Sequence, residues 1–198
     1  MEQDNFWAGD FGDKYSERNV GRVQNNLSMF VDILHGCEID SILEFGAGTG
    51  ENILALKELY PFAHFDAIEI NESACDKLRD IDNVNVFWGS AFDAPILEGY
   101  DLVLSKGFLI HIHPDYIDKI YEKMYQATGK YLLLCEYYNP TLISVDYRGV
   151  KNRLWKRDFA GDMIDKYEMK LIEYGFVYHR DEFPQDDLTW FLLEKGDI

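Results

Sequence analysis

A chain of 198 residues, 47% hydrophobic and 15% aromatic, can bury one good core and is too short for two full domains. Its formal net charge of −17 argues against the bulk attraction by which basic surfaces hold nucleic acid or anionic membrane. No basic region followed by an apolar stretch opens the N-terminus, no apolar run approaches the roughly 18 residues of a spanning helix, and Cys37, Cys75 and Cys135 form no CxxC pair, so a cytoplasmic protein with free thiols and no metal is expected.

In chain order, Phe6 to Asn19 packs four aromatics among glycines with no clean helix or strand period. Aromatics give adhesive surface and glycines give mobility, so this segment is read either as a lid over a ligand or as packing on the outside of the domain. From Val20 to His35 the apolar positions Val23, Leu27, Phe30, Val31 and Leu34 recur at helical spacing, and Gly36 stops the helix. A strand at Ser41-Ile42-Leu43 runs into Glu44-Phe45-Gly46-Ala47-Gly48-Thr49-Gly50, and a helix-compatible stretch follows from Asn52 to Tyr60. Glycines let the chain turn off a strand and let a ligand approach the backbone, while the next helix offers unpaired N–H groups. A dinucleotide fingerprint would need a third glycine at position 51, where Glu51 stands, so a pyrophosphate cofactor and a nucleotide-dependent oxidoreductase are disfavoured.

A second strand, His64 to Ile70, ends in Glu69 about 20 residues past the glycines, where a carboxylate can accept ribose hydroxyls. Asn71 caps a helix through Arg79, and Val84 to Phe87 alternates as a third strand leading into Trp88-Gly89-Ser90-Ala91-Phe92-Asp93. Tyr100 to Leu104 is a fourth strand. It leads through Lys106, His111 and His113 to a helix begun by Pro114 and closed by Gly129, and Lys130 to Glu136 is a fifth strand. The spacing then predicts a long helix from Gly161 to Tyr174 ending at Gly175, and two strands, Phe176–Arg180 and Leu188–Leu193, as an antiparallel hairpin. The alternation predicts an α/β fold with a doubly wound, mostly parallel sheet.

The acidic-x-Gly-x-Gly-x-Gly pattern from Glu44 to Gly50 resembles the first motif of class I S-adenosylmethionine (SAM) methyltransferases. That resemblance implies a Rossmann-like sheet of seven strands with a C-terminal antiparallel hairpin, spanning 37–198 of a single domain behind an N-terminal lid segment and helix (1–36). It also implies SAM as cofactor and S-adenosylhomocysteine as product. The cofactor set would be Glu44, Gly46, Ala47, Gly48, Gly50, Glu69, Ile70, Ser90, Ala91, Phe92 and Lys106, with Glu44 serving the cationic tail and the Ser90 turn the adenine.

The stretches Phe6–Asn19, Lys106–Ile112, Glu136–Thr141, Tyr147–Gly149, Lys156–Gly161 and Trp190–Lys195 together resemble the pseudaminic acid biosynthesis-associated methylase family, with likeness over nearly the whole chain. The family name implies an acceptor from nonulosonic acid sugar metabolism. Independently, Arg148, Lys151, Arg153, Lys156 and Arg157 follow one another with no intervening acid, which predicts a positive patch suited to carboxylate or phosphate, or a solvated face. His111, with His113 and Tyr138 beside it, is the candidate acid–base group for a hydroxyl acceptor. Tyr137, Asn139 and Arg148 are candidates for binding an acidic sugar. A SAM-binding protein without turnover and a methyltransferase for another metabolite stay open, as does the oligomeric state.

Overall fold

The computed structural model describes residues 2–18, 21–95 and 98–196, so Asn19 and Val20 of the expected N-terminal elements lie outside the described residues. The apolar runs become five parallel strands, β1 (Ser41–Phe45), β2 (His64–Glu69), β3 (Val84–Trp88), β4 (Tyr100–Lys106) and β5 (Thr128–Glu136). Between them run α4 (Glu51–Leu59), α5 (Glu72–Arg79) and α6 (Ile117–Ala127), and α3 (Val23–Ile33) precedes β1. Strands buried on both faces need no polar alternation, and β4 shows why. Leu102 and Leu104 pack with Phe30, Ile53 and Leu56 of α3 and α4 on one side, while Val103 packs with Ile120, Tyr121 and Met124 of α6 on the other. Each such side chain taken fully from water contributes about 1.5–3 kcal/mol.

Downstream of β5 come β6 (Ile143–Tyr147), β7 (Val150–Lys156), α7 (Phe159–Tyr167), β8 (Lys170–Val177) and β9 (Leu188–Glu194). The seven-stranded sheet has the order β3-β2-β1-β4-β5-β9-β8, with β9 antiparallel to both of its neighbours, as the expected doubly wound fold requires. Strand order reverses between β1 and β4. In open α/β sheets the crevice beyond the strand ends at such a reversal receives ligands.

The structure departs from the sequence reading in several places. The helix expected over 161–174 stops at Tyr167, because Glu168 takes a left-handed conformation (φ 54°) and the chain turns into β8. Gly175 therefore lies inside a strand against the Trp190 ring, and the shortened helix leaves Tyr174 and Phe176 exposed. Gly129 is not a helix stop either; it lies in β5, where a Cβ would come within 2.8 Å of the Gly99 backbone. Residues 143–156, for which no strands were expected, form the β6–β7 hairpin, a separate two-stranded sheet that carries most of the basic run.

The N-terminal segment is regular. It forms α1 (Glu2–Ala8) and α2 (Asp10–Arg18), whose Trp7, Phe11 and Tyr15 stand four residues apart and meet edge-to-face at 5.4 Å. The two helices close on each other at Gly12, where a Cβ would lie 1.9 Å from the Trp7 carbonyl oxygen. Gly12→Val is expected to loosen 2–18 without unfolding the sheet. Amide exchange should rise in α1 and α2 and stay at wild-type values in β1, β4 and β5; equal exchange in α1 and α2 would show that the helices do not depend on this contact.

Candidate active site

Two carboxylates at strand ends fix the floor of the crevice. Glu69, at the end of β2, accepts N–H groups from Gly48 (2.7 Å), Ile70 (2.9 Å) and Asn71 (2.8 Å), tying the glycine turn to β2 and to the start of α5. Burial raises its pKa, and the backbone bonds offset part of that shift. Glu136, at the end of β5, accepts the Ser105 hydroxyl (2.7 Å) and the N–H groups of Phe108 (3.1 Å) and Leu109 (3.0 Å). It thereby fastens the single 3-10 turn, Leu109–His111, that carries His111. Burial pushes the Glu136 pKa up to about 7.

The glycine turn packs tightly under this turn: Gly46 has φ 70°, and a Cβ there would come within 2.5 Å of the Phe108 ring. Gly50 is the left-handed residue that caps the start of α4, and it borders neither of the two chambers beside the turn. Two chambers with shared walls open beside the turn. The inner one is bordered by Glu69, Ile70, Ser90, Ala91 and Phe92, with Gln3, Trp7 and Tyr15 of the N-terminal helices above them. The outer one is larger, about 490 Å³ against about 120 Å³, and is bordered by Ala47, Asn52, Tyr137, Tyr147, Arg148 and Asp186. Gly46, Gly48, Lys106, His111 and Tyr15 border both.

Glu44 lies beneath the turn, fully buried, and borders neither chamber. Its Oε1 accepts Asn52 Nδ2 (2.6 Å), while Glu44 Oε2 and Asn52 Oδ1 are buried without partners. The acid thus faces the site through Asn52 rather than directly, a correction to its expected contact with a cationic tail. Burial pushes its pKa up to about 8.

His111 is buried, with its ring 4.4 Å from that of Trp7 and 5.0 Å from that of Tyr147. Its Nδ1 lies 2.8 Å from the Arg153 carbonyl oxygen. A carbonyl only accepts, so Nδ1 carries the proton and Nε2 keeps its lone pair. Burial lowers the His111 pKa to about 4. Gln3 Nε2 donates to the His111 carbonyl, and Asn71 Nδ2 donates to Asp13 (2.8 Å) and to the Trp7 carbonyl (3.3 Å), so α1 and α2 are docked over the chambers as a lid.

Three candidates stand elsewhere. His113 Nδ1 accepts the Asp115 N–H (3.2 Å) as a helix cap and its ring packs against Trp155. Tyr138 is 43% exposed and leans on Phe191, and Asn139 Nδ2 donates to the Thr141 carbonyl oxygen (2.6 Å) in its own turn. None of the three borders either chamber. The basic run is not one patch. Arg157 pairs with Asp162 (2.6 Å), Arg153 donates to Gln3 and covers Phe6, and Lys156 lies over Tyr137. A strand turns successive side chains to opposite faces, so of the five only Arg148, at the left-handed turn of the hairpin (φ 50°), borders the outer chamber.

The charges of the outer chamber are largely committed. Asp186 pairs with Arg22 (2.8 Å), Asp187 with His179 (2.8 Å), and Glu51 accepts the N–H groups of Gly21 (3.2 Å) and Arg22 (2.6 Å) at the start of α3. Lys106 and Arg148 have no carboxylate partner among the described residues.

A carboxyl whose folded pKa lies above its unfolded value stabilises the fold in its protonated form, and that advantage is lost as pH rises between the two values. Glu44→Gln should therefore gain on the wild type as pH rises from about 5 to about 8, and the two melting temperatures should converge near pH 4. A difference that does not change with pH would show that Glu44 is ionised in the fold throughout.

Residues 42–130 match the family described as methyltransferase domain. No curated protein matches the chain by sequence. Among solved structures, the chain is similar to 1,6-didemethyltoxoflavin-N1-methyltransferase of Burkholderia thailandensis, with a TM-score of 0.73 and 10% identity over 99% of this chain and 88% of that one. Magnesium protoporphyrin IX methyltransferase (ChlM) of Synechocystis PCC 6803, with bound S-adenosylhomocysteine, gives 0.72 and 12% over 98% of each chain. The mitomycin 7-O-methyltransferase MmcR gives 0.71 and 11%, and this chain, 98% covered, spans 60% of its length. At these identities the likeness is one of architecture: the chain has the fold of class I SAM-dependent methyltransferases, and its residues 42–130 carry the methyltransferase-domain sequence pattern.

Proposed function

We propose that the protein is a SAM-dependent methyltransferase for a small-molecule acceptor, and that the acceptor is an anionic sugar of the nonulosonic, pseudaminic type. The observation that carries the reading is the pair of chambers bordered in common by the glycine turn and His111, one lined by Glu69 and the other by Arg148, which has no carboxylate partner among the described residues. The residues fit the cofactor. Glu69 keeps lone pairs for ribose hydroxyls beyond its three backbone bonds, Ser90, Ala91 and Phe92 offer backbone and ring for adenine, and the orphaned Oδ1 of Asn52, which borders the outer chamber, calls for a donor such as an ammonium.

When bound, SAM supplies an electrophilic methyl group on a sulfonium. The chain's contribution is to hold the acceptor in line, exclude water beneath the lid and take up a proton. His111 Nε2 is the lone pair placed to accept the acceptor's hydroxyl proton, and the Arg153 carbonyl, receiving Nδ1–H, steadies the cation that forms. A pKa of about 4 keeps His111 unprotonated at neutral pH. Arg148 faces the acceptor's carboxylate from the hairpin turn, and Tyr137 and Tyr147 flank it. The acidic-sugar assignment is supported by the family resemblance of the motifs and by Arg148.

Incubation with SAM and a series of nonulosonates, read by formation of S-adenosylhomocysteine, tests this function. Turnover with anionic sugars and little with their neutral analogues is expected; SAM binding with no turnover on any acceptor would make the protein a binder only. His111→Ala should lower turnover by roughly 10²- to 10⁴-fold with S-adenosylhomocysteine affinity unchanged. The wild-type rate should fall on acidification through about pH 4 rather than near 6.5, because the base works deprotonated. Survival of activity in His111→Ala would reduce the residue to a structural role. Arg148→Ala should weaken acceptor binding by about 10- to 100-fold, an effect mimicked by added salt. Wild-type acceptor affinity in that variant would leave the hairpin turn outside the acceptor site.

A further inference from the structure

The lid does more than cover the inner chamber. Tyr15 and Ser16, near the end of α2, are the described lid residues that border the outer chamber as well. Residues four apart share a helix face, and the face carrying Phe11 and Tyr15 is turned to the β6–β7 hairpin, because the Phe11 ring lies 5.9 Å from that of Tyr147. Trp7 holds the Tyr15 ring edge-on at 5.4 Å. The partly buried phenol is thereby brought toward those of Tyr147, in the hairpin, and Tyr137, just after β5, which both border the outer chamber and act on Tyr15 through space. Three phenols from three separate elements meet around one space.

The carboxylates of that space, Asp186, Asp187 and Glu51, are already bound to Arg22, His179 and backbone N–H groups. Its phenols are not so committed. Among the described residues the Tyr137 and Tyr147 hydroxyls have no hydrogen-bond partner. A phenol both donates and accepts, as a sugar hydroxyl does, and its ring offers an apolar face to sugar C–H groups. A ligand rich in phosphate would call for more cations than Arg148 and Lys106 supply. One anionic group among several hydroxyls suits the wall better. We propose that Tyr15 is an acceptor-binding residue: the lid completes the acceptor chamber, and the Tyr15 phenol joins those of Tyr137 and Tyr147 in recognising the hydroxyls of a sugar acid. This role rests on the methyltransferase reading of the cleft, and it makes the acceptor site incomplete until the lid is docked.

Calorimetry tests it, first with S-adenosylhomocysteine and then with N-acetylneuraminate and other nonulosonates added to the S-adenosylhomocysteine complex. Tyr15→Phe keeps the ring and its contact with Trp7, so it should bind S-adenosylhomocysteine as the wild type does and the sugar acids about 3- to 10-fold more weakly. In turnover the loss should stand in the acceptor KM with kcat nearly unchanged. Tyr137→Phe and Tyr147→Phe should weaken the sugar acids by a similar factor. Wild-type sugar affinity in Tyr15→Phe, a loss that falls on S-adenosylhomocysteine instead, or an equal loss of both ligands overturns the assignment. A wild type that binds S-adenosylhomocysteine and none of the sugar acids overturns the acceptor reading and this assignment together, whereas a wild type that binds both confines any failure to Tyr15.

Discussion

Three backbone N–H groups converge on the Glu69 carboxylate, and most of the site's geometry follows from that convergence. A buried carboxylate is costly unless its lone pairs are met, and backbone donors meet them without the rotamer entropy that a side chain would lose. Here the donors come from the glycine turn, the end of β2 and the first residue before α5, so one group sets the spacing of three segments. Asn71, fixed by its own N–H, then caps α5 through its Oδ1 (2.9 Å to the Ala74 N–H) and holds the lid through its Nδ2. Glu136 repeats the device on the other side of the crevice. Glu69 and Glu136, at the ends of β2 and β5, each bind the backbone of the loop beside them and so hold those loops where they leave the sheet.

The parts beyond the sheet are adhesive in a different way. The lid meets the core chiefly through rings: Trp7 on His111, Phe11 toward Tyr147, and Phe6 under the Arg153 guanidinium. The β6–β7 hairpin supplies Tyr147, Arg148 and the Arg153 carbonyl, so it lines the outer chamber and orients the histidine at once. Lid and hairpin touch each other at the Gln3–Arg153 contact. His111 is therefore held from three directions, by the Glu136 turn below, the hairpin carbonyl at Nδ1 and the lid above. Removing water from that ring fixes its tautomer and lowers its pKa together, because a neutral imidazole with one satisfied donor is the form that burial favours.

The sheet was legible because its signals are local. Apolar runs of four to eight residues, caps such as Asn71 and the glycine turn specify β1 to β5 and their helices without reference to anything distant. The segment over 168–177 misled for the opposite reason: its apolar positions suit a helix as well as an edge strand, and pairing with β9, some 20 residues on, decided for the strand. The Trp7-Phe11-Tyr15 period was present in the sequence, but Gly9 and Gly12 masked it. At the site, residues whose place is set by the spacing of a motif, such as Gly46, Glu69 and Ser90, do border the inner chamber. The destinations of His113, Tyr138 and Asn139 could not be read from spacing, since one residue's shift along a turn exchanges cavity for surface. The charges that neutralise one another across 164 residues, Arg22 with Asp186, leave no mark in any local window.

The central claim is that one cofactor is enclosed by the glycine turn, Glu69, the Ser90 turn and a lid formed by the two N-terminal helices, distant from them in sequence. Hydrogen exchange of the protein with and without S-adenosylhomocysteine tests it directly, because it reads every segment in one experiment. The account predicts added protection in two distant regions together, residues 3–16 of the lid and residues 46–50, 69–71 and 89–92 of the crevice. Protection confined to the crevice with the lid unchanged, or no protection in either, would contradict it.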